Sequence, residues 1–162
     1  MKLEKKFFCG LDPSLTGSGV TLIDNEFNVI EQKLICTSKQ NRLNDTELRL
    51  IYIVKELEFL LKYKENLIVY IEGLSFGSKG LGMLELGALH YLITIFLLQN
   101  EILFYEIPPT RLKKFVTGKG QCKKNLMLLG VYKKWGVEYE DDNAADSYSL
   151  ARMAEFNRKK GE

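Results

Sequence analysis

The chain has 162 residues, of which 46% are hydrophobic and 27% charged, and a formal net charge of +2. This composition is typical of a single globular domain that folds without disulfide bonds or other covalent cross-links. The three cysteines, Cys9, Cys36 and Cys122, include no C-x-x-C pair, which argues against a disulfide framework and a zinc site and favours a reducing compartment.

The N-terminus has no apolar run of signal-peptide length, and the longest nearly apolar stretch, residues 89–98, is about half a membrane span. We therefore expect a soluble cytoplasmic protein, in which residues 1–162 form one domain.

The first part of the chain predicts an antiparallel meander of three strands, at residues 6–12, 19–24 and 28–38. A helix is predicted to follow over residues 44–64. Asn44 or Asp45 can cap it, and its apolar residues at helical spacing are Leu50, Val54, Leu57 and Leu61.

The second part alternates between strand and helix. "LIVYIE", residues 67–72, is a fully apolar strand, and a strand that follows a crossover helix is expected to run parallel to the first strand. A helix over residues 83–99, a strand over 103–107 and a helix started by "PPT" come next. Two basic helical segments flank "GKG", and the last helix begins near Asn143. The layout predicts an α/β fold with a mixed five-stranded sheet flanked by helices.

Two of the predicted strands end on a carboxylate followed by a glycine-rich loop. Asp12 ends the first strand and Glu72 ends the fourth. If these strands are parallel neighbours, both carboxylates emerge at the edge where α/β sheets place their sites. The last helix adds Asp142 and Asp146 at i and i+4, on one helix face. The opposite face, which includes Ala145, Tyr148 and Phe156, is predicted to pack on the sheet.

Four carboxylates without histidines repel one another unless a cation lies among them. Oxygen ligands favour Mg²⁺ or Mn²⁺ over zinc, and two such ions support in-line displacement at phosphorus. The glycines after Asp12 are then expected to let a phosphate backbone come close.

Simpler interpretations of the same residues remain open. An Asp before Pro-Ser is often a turn former, Glu72 alone fits a strand-end charge that reaches solvent, and "EDDN" is a natural helix cap. His90, in an apolar helix, is more typical of a packed histidine than of a catalyst.

Residues 107–137 contain eight positive side chains and no acidic one, leaving a charge of −6 for the rest of the chain. A long block of one sign favours an anionic partner, nucleic acid first, although a solvated surface is an alternative.

Four segments together resemble the motifs of the RuvC family of Holliday junction resolvases. They are "GLDPSLTGSGV", "IEGLSFG", "PPTRLKKFVTGKGQCKK" and "DDNAADSYSLA", in the family's order and spacing from about Phe7 to Phe156. The resemblance implies a ribonuclease H-like fold and a homodimer that makes paired, Mg²⁺-dependent nicks in four-way DNA junctions. The small size and the Lys- and Asn-rich composition are similar to phage-encoded members, which would act in the bacterial or infected-host cytosol.

The resemblance also implies roles for individual residues. Asp12, Glu72 and Asp146 match the family's metal ligands, and Lys113 and Lys124 match lysines that contact the scissile phosphate. Where the family has Asp or His three residues before the last Asp, this chain has Asn143, and we expect the adjacent Asp142 to substitute. The family's aromatic residue after the second-motif glutamate is shifted here to Phe76, which puts the family's sequence preference in doubt.

The predicted catalytic residues are therefore Asp12, Glu72, Asp142, Asp146 and Lys124. Two Mg²⁺ ions, replaceable by Mn²⁺, are expected at Asp12, Glu72, Asp142, Asn143 and Asp146. Contacts to DNA are predicted for Arg111, Lys113, Lys114, Lys119, Lys123, Lys124, Phe76 and Lys79. The alternatives are a module that binds branched DNA without cutting it, and an actin-like phosphotransferase, which needs a second domain that 162 residues cannot supply.

Overall fold

A mixed five-stranded sheet forms the centre of the molecule, in the strand order β3-β2-β1-β4-β5. The computed structural model describes residues 5–37, 45–74 and 81–161. Its strands are β1 (Phe7–Asp12), β2 (Gly17–Asp24), β3 (Val29–Cys36), β4 (Leu67–Glu72) and β5 (Leu103–Ile107). β1, β2 and β3 pair antiparallel, while β4 pairs parallel to both β1 and β5. The predicted topology is confirmed.

The helices cover both faces of this sheet. They are α1 (Thr46–Lys55), a 3-10 helix (Glu58–Asn66), α2 (Leu81–Gln99), α3 (Pro109–Thr117), α4 (Lys124–Trp135) and α5 (Asp142–Lys160). Asp45 caps α1 by accepting from the backbone N–H groups of Glu47 and Leu48, and Pro109 starts α3, both as predicted.

The predicted single helix over residues 44–64 is wrong in its second half. The α-helix ends at Lys55, and the chain continues from Glu58 as a tighter 3-10 helix. Because a 3-10 helix has three residues per turn, the buried face changes register. Leu60 is fully buried, whereas Leu61, at the position predicted from α-helical spacing, is exposed.

The alternation of each strand divides the core into two apolar clusters. Cys9 and Leu11 of β1 point toward α1 and α2, where they belong to one cluster with Ile53 and Ile93. Phe8, from the same strand, points to the other face, toward α3, α4 and α5. Most of the middle of α5 is buried, including Ala145 and Tyr148 as predicted.

Phe156 departs from the prediction that it packs on the sheet. It is 42% exposed and its ring lies 5.4 Å from that of Phe115 on α3.

The first turns of α5 lie directly on the backbone of β1 and β2. A Cβ atom built on Gly10 would be 1.9 Å from the Ser147 carbonyl oxygen, and one on Gly19 would be 2.1 Å from that of Asn143. The expectation that the glycines near Asp12 admit a phosphate backbone is therefore wrong for Gly19, because that space is occupied by α5. These glycines set how closely α5 approaches the sheet.

Helix α2 is unusually apolar for its position. The window Gly82–Gln99 has a mean hydropathy of 1.4 and is long and apolar enough to cross a membrane by length and composition, yet only 28% of it is buried. This apolar stretch is longer than the ten residues, 89–98, that the sequence analysis singled out. One such helix is weak evidence for a membrane span, and its exposed face needs another explanation.

Replacement of Gly10 by alanine is expected to destabilise the protein strongly. The new methyl group meets backbone atoms, so α5 or β1 must shift, and overpacking of this kind costs about 1–3 kcal/mol or more. The free energy of unfolding, measured by denaturant titration, should fall accordingly. Gly87→Ala is the matched control, because its Cβ meets nothing within 4 Å and alanine favours a helix interior by roughly 0.5–1 kcal/mol. Equal effects of the two substitutions would contradict this account of α5 packing.

Candidate active site

Asp12 and Glu72 are side by side at the carboxyl ends of two parallel strands. The register of β1 and β4 pairs Gly10 with Tyr70 and Leu11 with Ile71, so the next pair along is Asp12 and Glu72. Both lie on the α5 face of the sheet, and their carboxyl groups are hydrogen-bonded to each other. Asp12 is only 6% exposed. The interpretation of Glu72 as an isolated charge reaching solvent is therefore wrong.

The last helix brings two further acids to this pair. Asp142 and Asp146 both act electrostatically on Asp12. The helix cap is their neighbour Asp141, whose side chain accepts from the backbone N–H of Ala144 at 3.0 Å. Asp142 is thus not the N-cap residue, and its carboxylate is available for another role.

Burial raises the pKa values of Asp12, Glu72 and Asp146, and neighbouring carboxylates add to the shifts of Asp12 and Asp146. Burial is the largest cause for Asp12, whose pKa lies well above its ordinary value, and the carboxylates of Glu72 and Asp146 add to it. Burial also raises the pKa of Glu72, partly offset by the Asp12 hydrogen bond and by Lys113. Burial and the charges of Glu72 and Asp142 raise the pKa of Asp146 to about 7. Without a cation, the cluster of Asp12, Glu72 and Asp146 therefore holds protons at neutral pH.

Two lysines of the basic block face the same acids. Lys124 forms an ion pair with Asp142, and this contact raises the pKa of Lys124. Burial raises the pKa values of Glu72 and Asp146, and Lys113 offsets part of each shift. These lysines come from α3 and α4, so the hairpin of basic helices brings positive charge to the rim of the acidic site.

The donor set fits a hard divalent cation. Asp146 Oδ1 is buried, and no hydrogen-bond donor reaches it within the described part of the chain. Together with a buried carboxylate pair, an acceptor without a donor is suited to Mg²⁺-type, all-oxygen ligation. Among residues 5–37, 45–74 and 81–161, no three acidic, histidine or cysteine side chains are placed so that together they could hold a metal ion.

The turn after Asp12 is held by residues that sequence reasoning missed. Ser18 Oγ donates to the Ser14 carbonyl at 2.7 Å and accepts from the Ser14 N–H at 3.0 Å. Arg49 of α1 and the Thr37 hydroxyl both donate to the Leu15 carbonyl. Ser14 and Ser18 therefore close the turn with their hydrogen bonds, and Thr37 and Arg49 hold its Leu15 carbonyl. The S-x-x-x-S spacing of Ser14 and Ser18 is the sequence feature from which this turn could have been predicted.

The remaining predicted residues take several positions. Asn143 Nδ2 donates to the Gly17 carbonyl at 2.6 Å and so ties α5 to the start of β2. Lys114 and Lys119 line a groove of about 520 Å³ between α3 and α4, and Arg111 and Lys123 are exposed on the same two-helix unit. Phe76 and Lys79 lie outside the described residues.

This sheet order, with acids from β1, β4 and the final helix at one edge, defines a ribonuclease H-like nuclease fold. The model of the RuvC family of crossover junction endodeoxyribonucleases matches residues 8–151, and the chain belongs to this family.

Individual relatives agree with the family assignment. The crossover junction endodeoxyribonuclease RuvC of Caldicellulosiruptor saccharolyticus is 28% identical over 148 residues, covering 88% of this chain and 87% of the relative. The RuvC of Rickettsia typhi is 30% identical over 120 residues, covering 74% of this chain and 76% of the relative. The structure of Thermus thermophilus RuvC in complex with a Holliday junction substrate matches at a TM-score of 0.77 and 18% identity, covering 96% of both chains.

The metal-free protein is expected to lose stability as the pH rises through the titration of Asp146. Its pKa is about 7 in the folded protein and 3.8 ordinarily, so over this interval the folded chain binds more protons than the unfolded chain. The free energy of unfolding then falls with rising pH, by at most a few kcal/mol, since one pKa unit corresponds to about 1.4 kcal/mol.

The measurement is the melting temperature in EDTA from about pH 4.5 to about pH 7.5, which covers most of the interval between the two pKa values. Asp146→Asn should flatten the decrease, whereas Glu138→Gln, at an exposed acid outside the site, should not. A wild-type profile that Asp146→Asn leaves unchanged would refute the proposed cause.

Proposed function

We propose that the chain is a Mg²⁺-dependent endonuclease that resolves Holliday junctions and related branched DNA by paired nicks. The observation that carries this proposal is the hydrogen-bonded pair of Asp12 and Glu72, joined by Asp146 at one sheet edge and faced by two lysines. Residues 1–162 would form a single nuclease domain acting in the cytoplasm, and the resemblance to phage-encoded members remains a prediction.

The roles of the residues follow from their placement. Asp12, Glu72, Asp146 and Asp142 would hold two Mg²⁺ ions, for which Mn²⁺ can substitute. When bound, the ions supply an activated water and stabilise charge on the phosphate. Asp12 is fixed by its strand and Asp146 by the packed helix α5, so both ligands are held rigidly. Lys113 and Lys124 orient the phosphate and offset the negative charge that develops on it.

Asp142 is a better candidate than Asn143 for the acid at the start of α5. The Asn143 amide is engaged with the Gly17 carbonyl, and a neutral amide does little to balance divalent charge. Asp142 faces Lys124 and contributes to the raised pKa values of Asp12 and Asp146. We therefore assign Asp142 to the site and Asn143 to the anchoring of α5.

Two nicks on opposite strands of a junction require two sites related by a two-fold axis, and the protein acts as a homodimer on branched DNA. The exposed face of α2 provides the surface for a second copy. Leu84, Tyr91 and Leu98 repeat every seven residues and are 72%, 67% and 65% exposed. Ala88 and Ile95 fall between them, which gives the spacing of a helix-packing seam. This dimer seam accounts for the apolar character of α2 without a membrane.

The alternative is a module that binds branched DNA without cutting. It predicts tight junction binding with no nicks in Mg²⁺, whereas the carboxylate set favours cleavage. The groove between α3 and α4, lined by Lys114, Lys119, Lys133 and Lys134, would serve either function.

The test of the acidic site is nicking of a synthetic four-way junction by single variants. Asp142→Asn is expected to abolish nicking, as are Asp12→Asn, Glu72→Gln and Asp146→Asn. All four variants should bind the junction in EDTA at least as well as the wild type, because each removes a charge that repels phosphate.

Asn143→Ala is the matched control and should keep most of the activity, with some loss of stability from the broken anchor. An inactive Asn143→Ala protein beside an active Asp142→Asn protein would reverse the assignment. A wild type that binds junctions but never nicks them would establish the non-cleaving alternative.

The dimer seam is tested by Ile95→Glu. Two glutamates would be buried near the two-fold axis, and the dimer dissociation constant should rise at least about 100-fold, because burial of unpaired charge is costly. Sedimentation equilibrium measures the constant. Ile51→Glu is the control, since Ile51 is an exposed isoleucine on a different helix, α1. A dimer that is unchanged by Ile95→Glu would place the interface elsewhere.

A further inference from the structure

The turn after Asp12, residues 13–18, is joined to both halves of the acidic site. It begins directly at Asp12, the last residue of β1. Near its other end, the Gly17 carbonyl accepts from Asn143 Nδ2 at 2.6 Å, and this bond anchors the start of the helix that carries the other two aspartates of the site. A displacement of the turn would therefore move the acid on the strand relative to the acids on α5.

Helix α1 holds this turn through the side chain of Arg49. The Arg49 guanidinium donates through Nη2 to the Leu15 carbonyl, in the middle of the turn, and through Nε to Thr37 Oγ1 at 3.2 Å. The Thr37 hydroxyl donates to the same Leu15 carbonyl, and the Thr37 backbone N–H donates to the Thr16 carbonyl at 3.2 Å. Arg49, Thr37 and the Leu15 carbonyl thus form a closed ring of hydrogen bonds.

This contact fixes the turn in one position. The Leu15 side chain packs on the apolar cluster that includes Leu50 and Ile53 of α1, so the turn and the helix meet through both side chain and backbone. Thr37 is only 2% exposed. A planar guanidinium presents its donors in a rigid fork, and a hydrogen bond from a charged donor is stronger than one from a neutral donor.

We propose that Arg49 is a positioning residue for DNA cleavage, because its fork to Leu15 and Thr37 fixes the turn and with it the placement of Asp12 against the acids of α5. The inference rests on the proposed function, since it concerns the rate at which that site cuts DNA. Burial and neighbouring carboxylates raise the pKa of Asp12, and Arg49 acts on this acid through the turn rather than by its charge.

The first test separates cleavage from binding. In single-turnover nicking of a four-way junction with saturating protein and Mg²⁺, Arg49→Ala is expected to be about 10- to 100-fold slower than the wild type, since a misplacement of about 1 Å can cost that much. Junction affinity in EDTA should stay within about threefold, because the phosphate contacts that dominate it remain. Lys55→Ala, which removes an exposed positive charge from the same helix, is the matched control and should change neither quantity.

The second test distinguishes the fork from the charge. Arg49→Lys keeps the charge but cannot donate to both acceptors from a rigid fork, so its nicking should remain at least about fivefold slower than that of the wild type. Guanidinium ions at millimolar concentration should restore part of the rate of Arg49→Ala, whereas ammonium ions at the same concentration should not. Thr37→Val removes the bridging hydroxyl and should slow nicking, whereas Thr37→Ser keeps the hydroxyl and should retain the rate.

A third measurement needs no cleavage. Amide hydrogen exchange of residues 13–18 in the metal-free protein should be at least about tenfold faster in Arg49→Ala than in the wild type, because a hydrogen bond from a charged donor is lost. The amides of β4 should exchange as in the wild type, which shows that the sheet itself is intact.

The outcomes separate the role of Arg49 from the nuclease itself. Nicking by Arg49→Ala or Thr37→Val at the wild-type rate would overturn the inference, as would full activity of Arg49→Lys. A loss of junction binding that equals the loss of rate would also overturn it and place Arg49 on the DNA. If Arg49→Ala does not fold, the two Thr37 variants decide in the same way. A wild type that neither binds nor nicks junctions would overturn the proposed function, and unchanged exchange of the turn would then still overturn the inference.

Discussion

The close contact between α5 and the sheet is the constraint on which the rest of the site depends. Gly10 and Gly19 remove the side chains that would hold the helix away, and the carbonyls of Ser147 and Asn143 fill that space. Thr21 and Ser147 add a buried hydrogen bond of 2.8 Å across the same contact. Only at this separation does a short aspartate side chain on α5 reach the carboxylates that end β1 and β4. The short distance between the backbones of α5 and the sheet therefore determines that these carboxylates meet in one site.

The site is also a region of unfavourable charge that the protein tolerates. Four acids are concentrated at one edge, with a hydrogen bond between Asp12 and Glu72 and with Lys113 and Lys124 as their counter-charges. The compensation is incomplete, because burial and the charges of Glu72 and Asp142 raise the pKa of Asp146 to about 7 although both lysines lower it. Such partial compensation is what a metal site requires, since full neutralisation by lysines would remove the affinity for cations. The basic helices place further charges, those of Lys114, Lys119, Lys133 and Lys134, along the groove between them.

Much of this arrangement could be predicted from the sequence, because it depends on local patterns. The alternation of apolar residues indicated the strands, and the crossover rule made β1 and β4 parallel, which placed Asp12 beside Glu72. The break after Lys55 could not be predicted, because Leu57 and Leu60 fit a 3-10 helix and an α-helix equally well. The cap at Asp141 could not be told apart from the acidic residues next to it. A glycine inside a strand does signal close backbone approach, but the sequence does not say whether a helix or a ligand approaches. The position of His90 beside Glu106 depends on tertiary packing alone.

Helix α2 belongs to two different environments at once. Its inner side, with Leu89, Ile93 and Leu97, completes the apolar cluster under the sheet, while its outer side is the proposed seam. The folding of one chain and the association of two are then parts of a single equilibrium, because the helix is fully covered only in the dimer. Mass action makes the stability of such a protein depend on its concentration. A dilute population would be both less folded and unable to cut in pairs, so that isolated subunits would present little hazard to intact DNA.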